Sequence, residues 1–168
     1  MTDGPIGLQL LIVFLLILIN AFFAASEIAV ISLNENKVRR EAEEGNKKAK
    51  KLLKLVDNPG AFLSTIQIAI TLAGFLASAF AADSFSERLV NWLVYDQGFN
   101  ALSPSTLNTI CIIVITLILS YFTLVLGELV PKRLAMNNPD KVASFVAGVI
   151  LGTGKIFRPI VWLLDKLT

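Results

Sequence analysis

Three stretches of this chain, residues 6–33, 61–82 and 105–130, are apolar over at least the roughly 20 residues that an α-helix needs to cross a bilayer. In lipid no water satisfies backbone N–H and C=O groups, so such stretches can fold only as helices or as strands of a closed barrel. Runs this long and continuously apolar select the helix. The predicted fold class is therefore all-α integral membrane, with three transmembrane helices per protomer plus cytoplasmic amphipathic and juxtamembrane helices. Composition agrees: the chain is 55% hydrophobic and 17% charged, against about 45–50% and 25% in soluble domains. The first run is too long for a signal-peptide core and lacks a basic flank.

Between the spans the chain changes character. Residues 34–58 carry eight lysines and arginines among five acids and end at Asn58-Pro59-Gly60, a turn signal. They predict a helix over 35–57, solvated or lying on the membrane surface. Residues 83–104 are mixed, with Trp92 and Tyr95 suited to an interface and Ser103-Pro104 as a helix start. In 142–168, Lys155, Arg158 and Pro159 leave only 142–154 free of interruption, too short to cross. That segment is read as interfacial, juxtamembrane or packed in a dimer. The 83–104 connection holds only Arg88 against the eight cations of 34–58. The positive-inside rule then places the N-terminus outside and the C-terminus in the cytoplasm of a multi-pass plasma-membrane protein.

Several function classes drop out. Without histidine there is no Ser-His or Cys-His catalysis and no HExxH zinc site, and the single Cys111 allows neither an intrachain disulfide nor a thiolate cluster. An intramembrane serine protease would want a His or Lys at depth beside a buried serine. A net charge of +2 gives nucleic acid nothing to bind. An enzyme is not expected.

The polar residues inside the spans fall on helical faces. Ser64, Gln67, Thr71, Gly74 and Ser78 recur at steps of three and four, as do Thr116, Ser120, Thr123, Gly127 and Pro131; Asn20, Glu27 and Asn34 recur at seven, with Ser26 alongside. Helix packing alone accounts for small and hydroxylated residues. It does not account for Glu27 and Glu128, which either reach water at a helix end or serve a function, since a carboxylate at mid-bilayer costs about 2.5–3.5 kcal/mol. Pro131 has no N–H, so a break there is predicted to free the Gly127 carbonyl beside the Glu128 carboxylate. Unwound carbonyls beside a carboxylate coordinate cations in transporters. Oxygen-only ligation suits a hard ion such as Mg²⁺, Na⁺ or Ca²⁺.

The segments "NAFFAASEIAVISLN", "NPGAFLSTIQIAITLAGFLASAFA" and "GELVPKRLA" resemble, in order and spacing, the transmembrane domain of the CorC/CNNM (cyclin M) magnesium transporters, over about Leu8 to Leu164. The resemblance implies a homodimer of three-span subunits that exports Mg²⁺, with Na⁺ as the exchanged ion at the same or an adjacent site. It implies metal ligands at Ser26 (hydroxyl), Gly127 (carbonyl) and Glu128 (carboxylate). The middle span departs from one branch of the family: where many members carry Gly-Asn-Thr and a further Asn, this chain reads Ala69-Ile70-Thr71-Leu72-Ala73-Gly74. Thr71, Gln67 or backbone oxygens would have to substitute, with Gly74 and Glu27 as secondary candidates. Family members usually continue into cytosolic CBS and C-terminal domains. The sequence is accordingly expected to be the transmembrane part of such a chain or a minimal homologue, and it contains no Gly-rich loop for ATP. The competing expectation is a scaffold whose spans only dimerise and display cytosolic domains, leaving Glu128 paired with Lys132 or solvent.

Overall fold

The computed structural model describes residues 5–168 and is built of helices, with no strand among the described residues. The expected external N-terminus falls partly on residues 1–4, outside the described residues. The first span forms α1 (Ile6–Ile31). The charged segment is not one helix but two, α2 (Glu35–Glu43) and α3 (Lys47–Asp57). They separate at Gly45, whose φ of +94° lies where a side chain would be strained. Asn34 and Asn46 cap them: Asn34 Oδ1 accepts from the Lys37 N–H at 3.2 Å and Asn46 Oδ1 from the Lys48 N–H at 3.0 Å. Arg39 donates to both Glu35 (3.0 Å) and Asp57 (2.9 Å), tying the hairpin shut. Asn34, placed by its spacing in a membrane seam, thus serves as a cap.

The second span, α4 (Pro59–Asn91), starts right after the Asn58 turn and runs on through a π-helical turn at Trp92–Asp96. Its 38 residues reach about 57 Å, well beyond a hydrocarbon core of about 30 Å. Most of the expected 83–104 connection is therefore helix. The third span begins at Pro104, with Ser103 Oγ accepting from the Thr106 N–H at 3.3 Å as the sequence predicts. It comprises α5 (Pro104–Leu124), a π-helical turn at Val125–Leu129 and α6 (Val130–Asn137) in unbroken succession.

The largest departure is the C-terminal segment. It forms one helix of 29 residues, α7 (Pro139–Leu167), which continues through Lys155, Arg158 and Pro159. By length and composition four helices among the described residues, not three, could cross a membrane. Uninterrupted apolar length alone ends the segment at 154, where the charges begin. Lys and Arg are good helix formers, and an internal proline removes a single backbone donor, a loss that a long helix absorbs.

Two apolar clusters hold the bundle. One lies at the end bearing the α2–α3 hairpin, where Val30 of α1, Leu52 and Leu55 of α3, Ile66 of α4, and Val146 and Ile150 of α7 meet. Lys37 also donates to Asp140 at 3.1 Å across that end, and the bond raises the Lys37 pKa above its ordinary value. The far cluster joins Val13 and Ile17 of α1, Ala77 and Ala81 of α4, and Leu119 of α5, and takes nothing from α7. Ala77 and Ala81 are each 1% exposed because they let α4 approach its neighbours within the protomer closely.

Candidate functional site

Between the two clusters the seams of α1, α4 and α5 converge on a cavity of about 350 Å³. Gln67, Thr71, Gly74 and Ser78 line it from α4; Ser120 and Thr123 from α5. Asn20 of α1 and Glu128 of the π-turn complete the polar lining, beside Ile70, Phe75 and Leu124. Gln67 Nε2 donates to Thr71 Oγ1 at 3.4 Å. Glu128, half-buried, is the one acidic residue of the lining. It forms no ion pair among the described residues.

The predicted break at Pro131 does not occur. The chain widens into the π-turn, in which the Val130 N–H bonds to the Val125 carbonyl, and helical geometry then resumes through Pro131. The Gly127 carbonyl, lacking a donor at position 131, is not free either: Asn20 Nδ2 donates to it at 3.0 Å. A side-chain amide from another span takes the place of the missing backbone N–H. This explains the glycine, because a Cβ at position 127 would lie 3.0 Å from Asn20 Nδ2 and 3.5 Å from Thr123 Cγ2. Asn20 is 1% exposed, and its Oδ1 is buried with no hydrogen-bond partner among the described residues.

Of the residues singled out from sequence, Gln67, Thr71, Gly74 and Glu128 are brought together. Ser26, Glu27 and Gly127 are not among the lining residues. Ser26 is fully buried and donates to the Phe22 carbonyl of its own helix at 2.6 Å. Glu27 pairs with Lys132 of α6 at 3.4 Å, so the lysine that a scaffold reading assigns to Glu128 is engaged elsewhere. Asn20, Ser78, Ser120 and Thr123 belong to the seams visible in the sequence and join the cavity without having been singled out. Their signal was the seam itself: where three polar faces meet, every member within a turn of the crossing lines the gap. No group of three or more Asp, Glu, His or Cys gathers among the described residues, so any cation held here would rest on one carboxylate and neutral oxygens.

Fold and site together define a multi-pass helical membrane protein with an open cavity, polar in part, where three of its spans meet. The chain belongs to the cyclin M family, whose transmembrane N-terminal domain matches residues 10–168. It is 35% identical over its whole length to a UPF0053 protein of Synechocystis, covering 37% of that protein. It is 31% identical to a UPF0053 protein of Haemophilus influenzae, covering 36% of it. A polyamine export protein of Haemophilus influenzae is 28% identical over 90% of this chain and 34% of its own length. The chain thus spans about a third of the length of these curated relatives.

Proposed function

We propose that this domain moves a cation across the membrane through the cavity, with Glu128 as the anionic anchor and Mg²⁺ as the cargo, exported in exchange for Na⁺. The observation that carries the reading is a half-buried carboxylate without a cationic partner, facing a space whose other polar lining groups are hydroxyls and amides. Mg²⁺ loses its waters reluctantly and is often held by one or two carboxylates through a partly retained hydration shell. A cavity of about 350 Å³ has room for the ion with such a shell. The Thr71 hydroxyl would face the shell, and the buried Asn20 Oδ1 would reach it only on a shift of its side chain. Ser26 Oγ and the Gly127 carbonyl would join as ligands only on exchanging their present hydrogen bonds, a change suited to alternating access. One carboxylate leaves a divalent ion half-neutralised, so binding is of modest affinity and release is easy.

In the membrane we place α1, α4 and α5–α6 as three crossings, with the α2–α3 hairpin cytoplasmic and α7 along the same interface. Support comes from the cations of α3 and α7 and from the absence of α7 residues in the far cluster. The functional unit is proposed to be a homodimer in the plasma membrane, joined in the longer chain to cytosolic CBS domains.

A second reading has its own support. The cavity sets one carboxylate and several hydroxyls beside Phe75, Ile70 and Leu124, a mixture that also suits ammonium groups spaced by methylenes, and two relatives are named polyamine export proteins. Thermal stabilisation of the purified protein by Mg²⁺ or by spermidine, and efflux of each from proteoliposomes, separates the two. Glu128→Gln should abolish the response to the true cargo while leaving the fold intact. If this variant binds and exports both cations like the parent, the cavity is not the transport site.

A further inference from the structure

A second cavity, of about 390 Å³, lies where the last turn of α3, the first turns of α4 and the middle of α7 meet. Lys54, Lys155 and Arg158 line it, and no acidic side chain does. The nearest acid in sequence, Asp57, is committed to Arg39 at 2.9 Å. None of the three cations is in an ion pair among the described residues. The fold therefore draws together like charges from two separate helices, an arrangement that repels itself unless an anion sits among them. The other side of the cavity is greasy: Leu55, Phe62, Leu151 and Val161 form its wall. On its opposite face α7 presents an apolar stripe to the outside, with Ile156, Ile160, Leu163 and Leu167 between 44% and 76% exposed.

Cations on one side, hydrocarbon on the other and a helix whose far face is apolar and exposed call for an anion that carries a hydrocarbon tail. The geometry points to a site for an acidic phospholipid, its phosphate held by Lys54, Lys155 and Arg158 and its acyl chain laid along Leu151 and Val161. Ala61, in the first turn of α4, also lines the cavity, so the positive end of a 33-residue helix faces the same anion. A free inorganic anion would leave the apolar wall unused, and the exposed apolar far face of α7 suits a helix that lies in lipid, where a phospholipid is at hand. This differs from a diffuse attraction of α3 lysines to a charged leaflet: it is a defined cavity, and two of its three cations come from α7. It does not depend on which cation the domain transports.

The test uses the full chain in mild detergent. Phosphatidylglycerol, phosphatidylcholine and inorganic phosphate are titrated in parallel, with retained lipid read by native mass spectrometry and stabilisation by thermal unfolding. Phosphatidylglycerol should be retained at one molecule per protomer and raise the unfolding temperature; the other two should do neither. At about 1 kcal/mol per cation near an acidic lipid surface, each charge removed should weaken retention about 5-fold, and Lys54→Gln/Lys155→Gln/Arg158→Gln about 100-fold. The triple variant also relieves repulsion, so it should fold without lipid; Arg158→Gln alone provides the same test at the 5-fold level. Lys47→Gln/Lys48→Gln/Lys50→Gln, an equal charge change on α3 away from the cavity, should retain the lipid like the parent. Equal losses in the two triple variants, equal retention of phosphatidylcholine, or an equal response to inorganic phosphate would each overturn the site.

Discussion

The Asn20–Gly127 hydrogen bond makes a prediction that can be worked in numbers. Pro131 cannot donate to the Gly127 carbonyl, and Asn20 Nδ2 supplies the donor at 3.0 Å from a position 1% exposed. Asn20→Ala should leave that carbonyl buried and unpaired, at a cost of about 1–3 kcal/mol, together with whatever the vacated side-chain volume adds. In a Pro131→Ala background the N–H of residue 131 returns to the position from which a helix satisfies the carbonyl four residues earlier. Asn20→Ala should then cost only the volume contribution. The coupling in the double-mutant cycle isolates the hydrogen bond, because the lost volume cancels. We expect a coupling of about 1–2 kcal/mol, or about 2–8 °C in unfolding temperature for a chain of this size. The four proteins would be compared by thermal unfolding in one detergent at a fixed ion concentration. If Asn20→Ala costs the same with proline or alanine at position 131, the amide is not standing in for the missing backbone donor.

Two further expectations concern the membrane. On a background with Cys111 replaced, a cysteine at Gln97 should be labelled from outside intact cells and one at Asn46 should be protected; the reverse pattern would overturn the proposed orientation, and labelling of a cysteine at Leu167 from outside would make α7 a fourth crossing. Cross-linking in native membranes should trap a homodimer through cysteines on the exposed faces of α4 and α5, such as Phe75 or Leu117 (70% and 66% exposed), and not through Ala77 or Ala81, which are buried within the protomer.

What could be read from the sequence divides along a physical line. The starts of three spans, the Ser103 helix start and the polar seams follow from local pattern, and the seams bring Gln67, Thr71 and Glu128 to one cavity. The fate of Pro131 could not be read this way. Whether a helix breaks, kinks or widens at a proline depends on what its neighbours offer the orphaned carbonyl, and here the donor comes from a residue 107 positions away. Ser26 shows the same limit. Its hydroxyl can serve an ion or bond back to the preceding turn, and spacing does not distinguish these; in this structure it bonds back to Phe22. The α2–α3 division was legible in Gly45-Asn46, a turn and cap pair hidden inside a strongly charged helical pattern.

Glu27 completes the electrostatic argument although it does not line the cavity. Lys132 follows Glu128 by four residues, the spacing and order in which a glutamate and a lysine pair best on a helix. The fold does not make that pair; Lys132 Nζ instead lies 3.4 Å from Glu27 Oε2 on α1. Glu27 therefore withholds from Glu128 the cation that would neutralise it and compete with any cargo. Glu27→Gln should release Lys132 to the cavity side and weaken cation binding at a site the substitution never touches. Pairing at this exposure is worth about 0.5–1 kcal/mol, so the binding constant should fall about 2- to 5-fold, more if the ammonium also occupies the ion's place. Adding Lys132→Gln removes the competitor and should restore parental affinity, whereas Lys132→Gln alone should leave affinity unchanged or slightly raised. Isothermal titration of the cargo identified by stabilisation gives the four constants. If Glu27→Gln binds like the parent, or if the double variant remains as weak as Glu27→Gln alone, Lys132 is not the group held in reserve, and Glu128 owes its free charge to helix geometry alone.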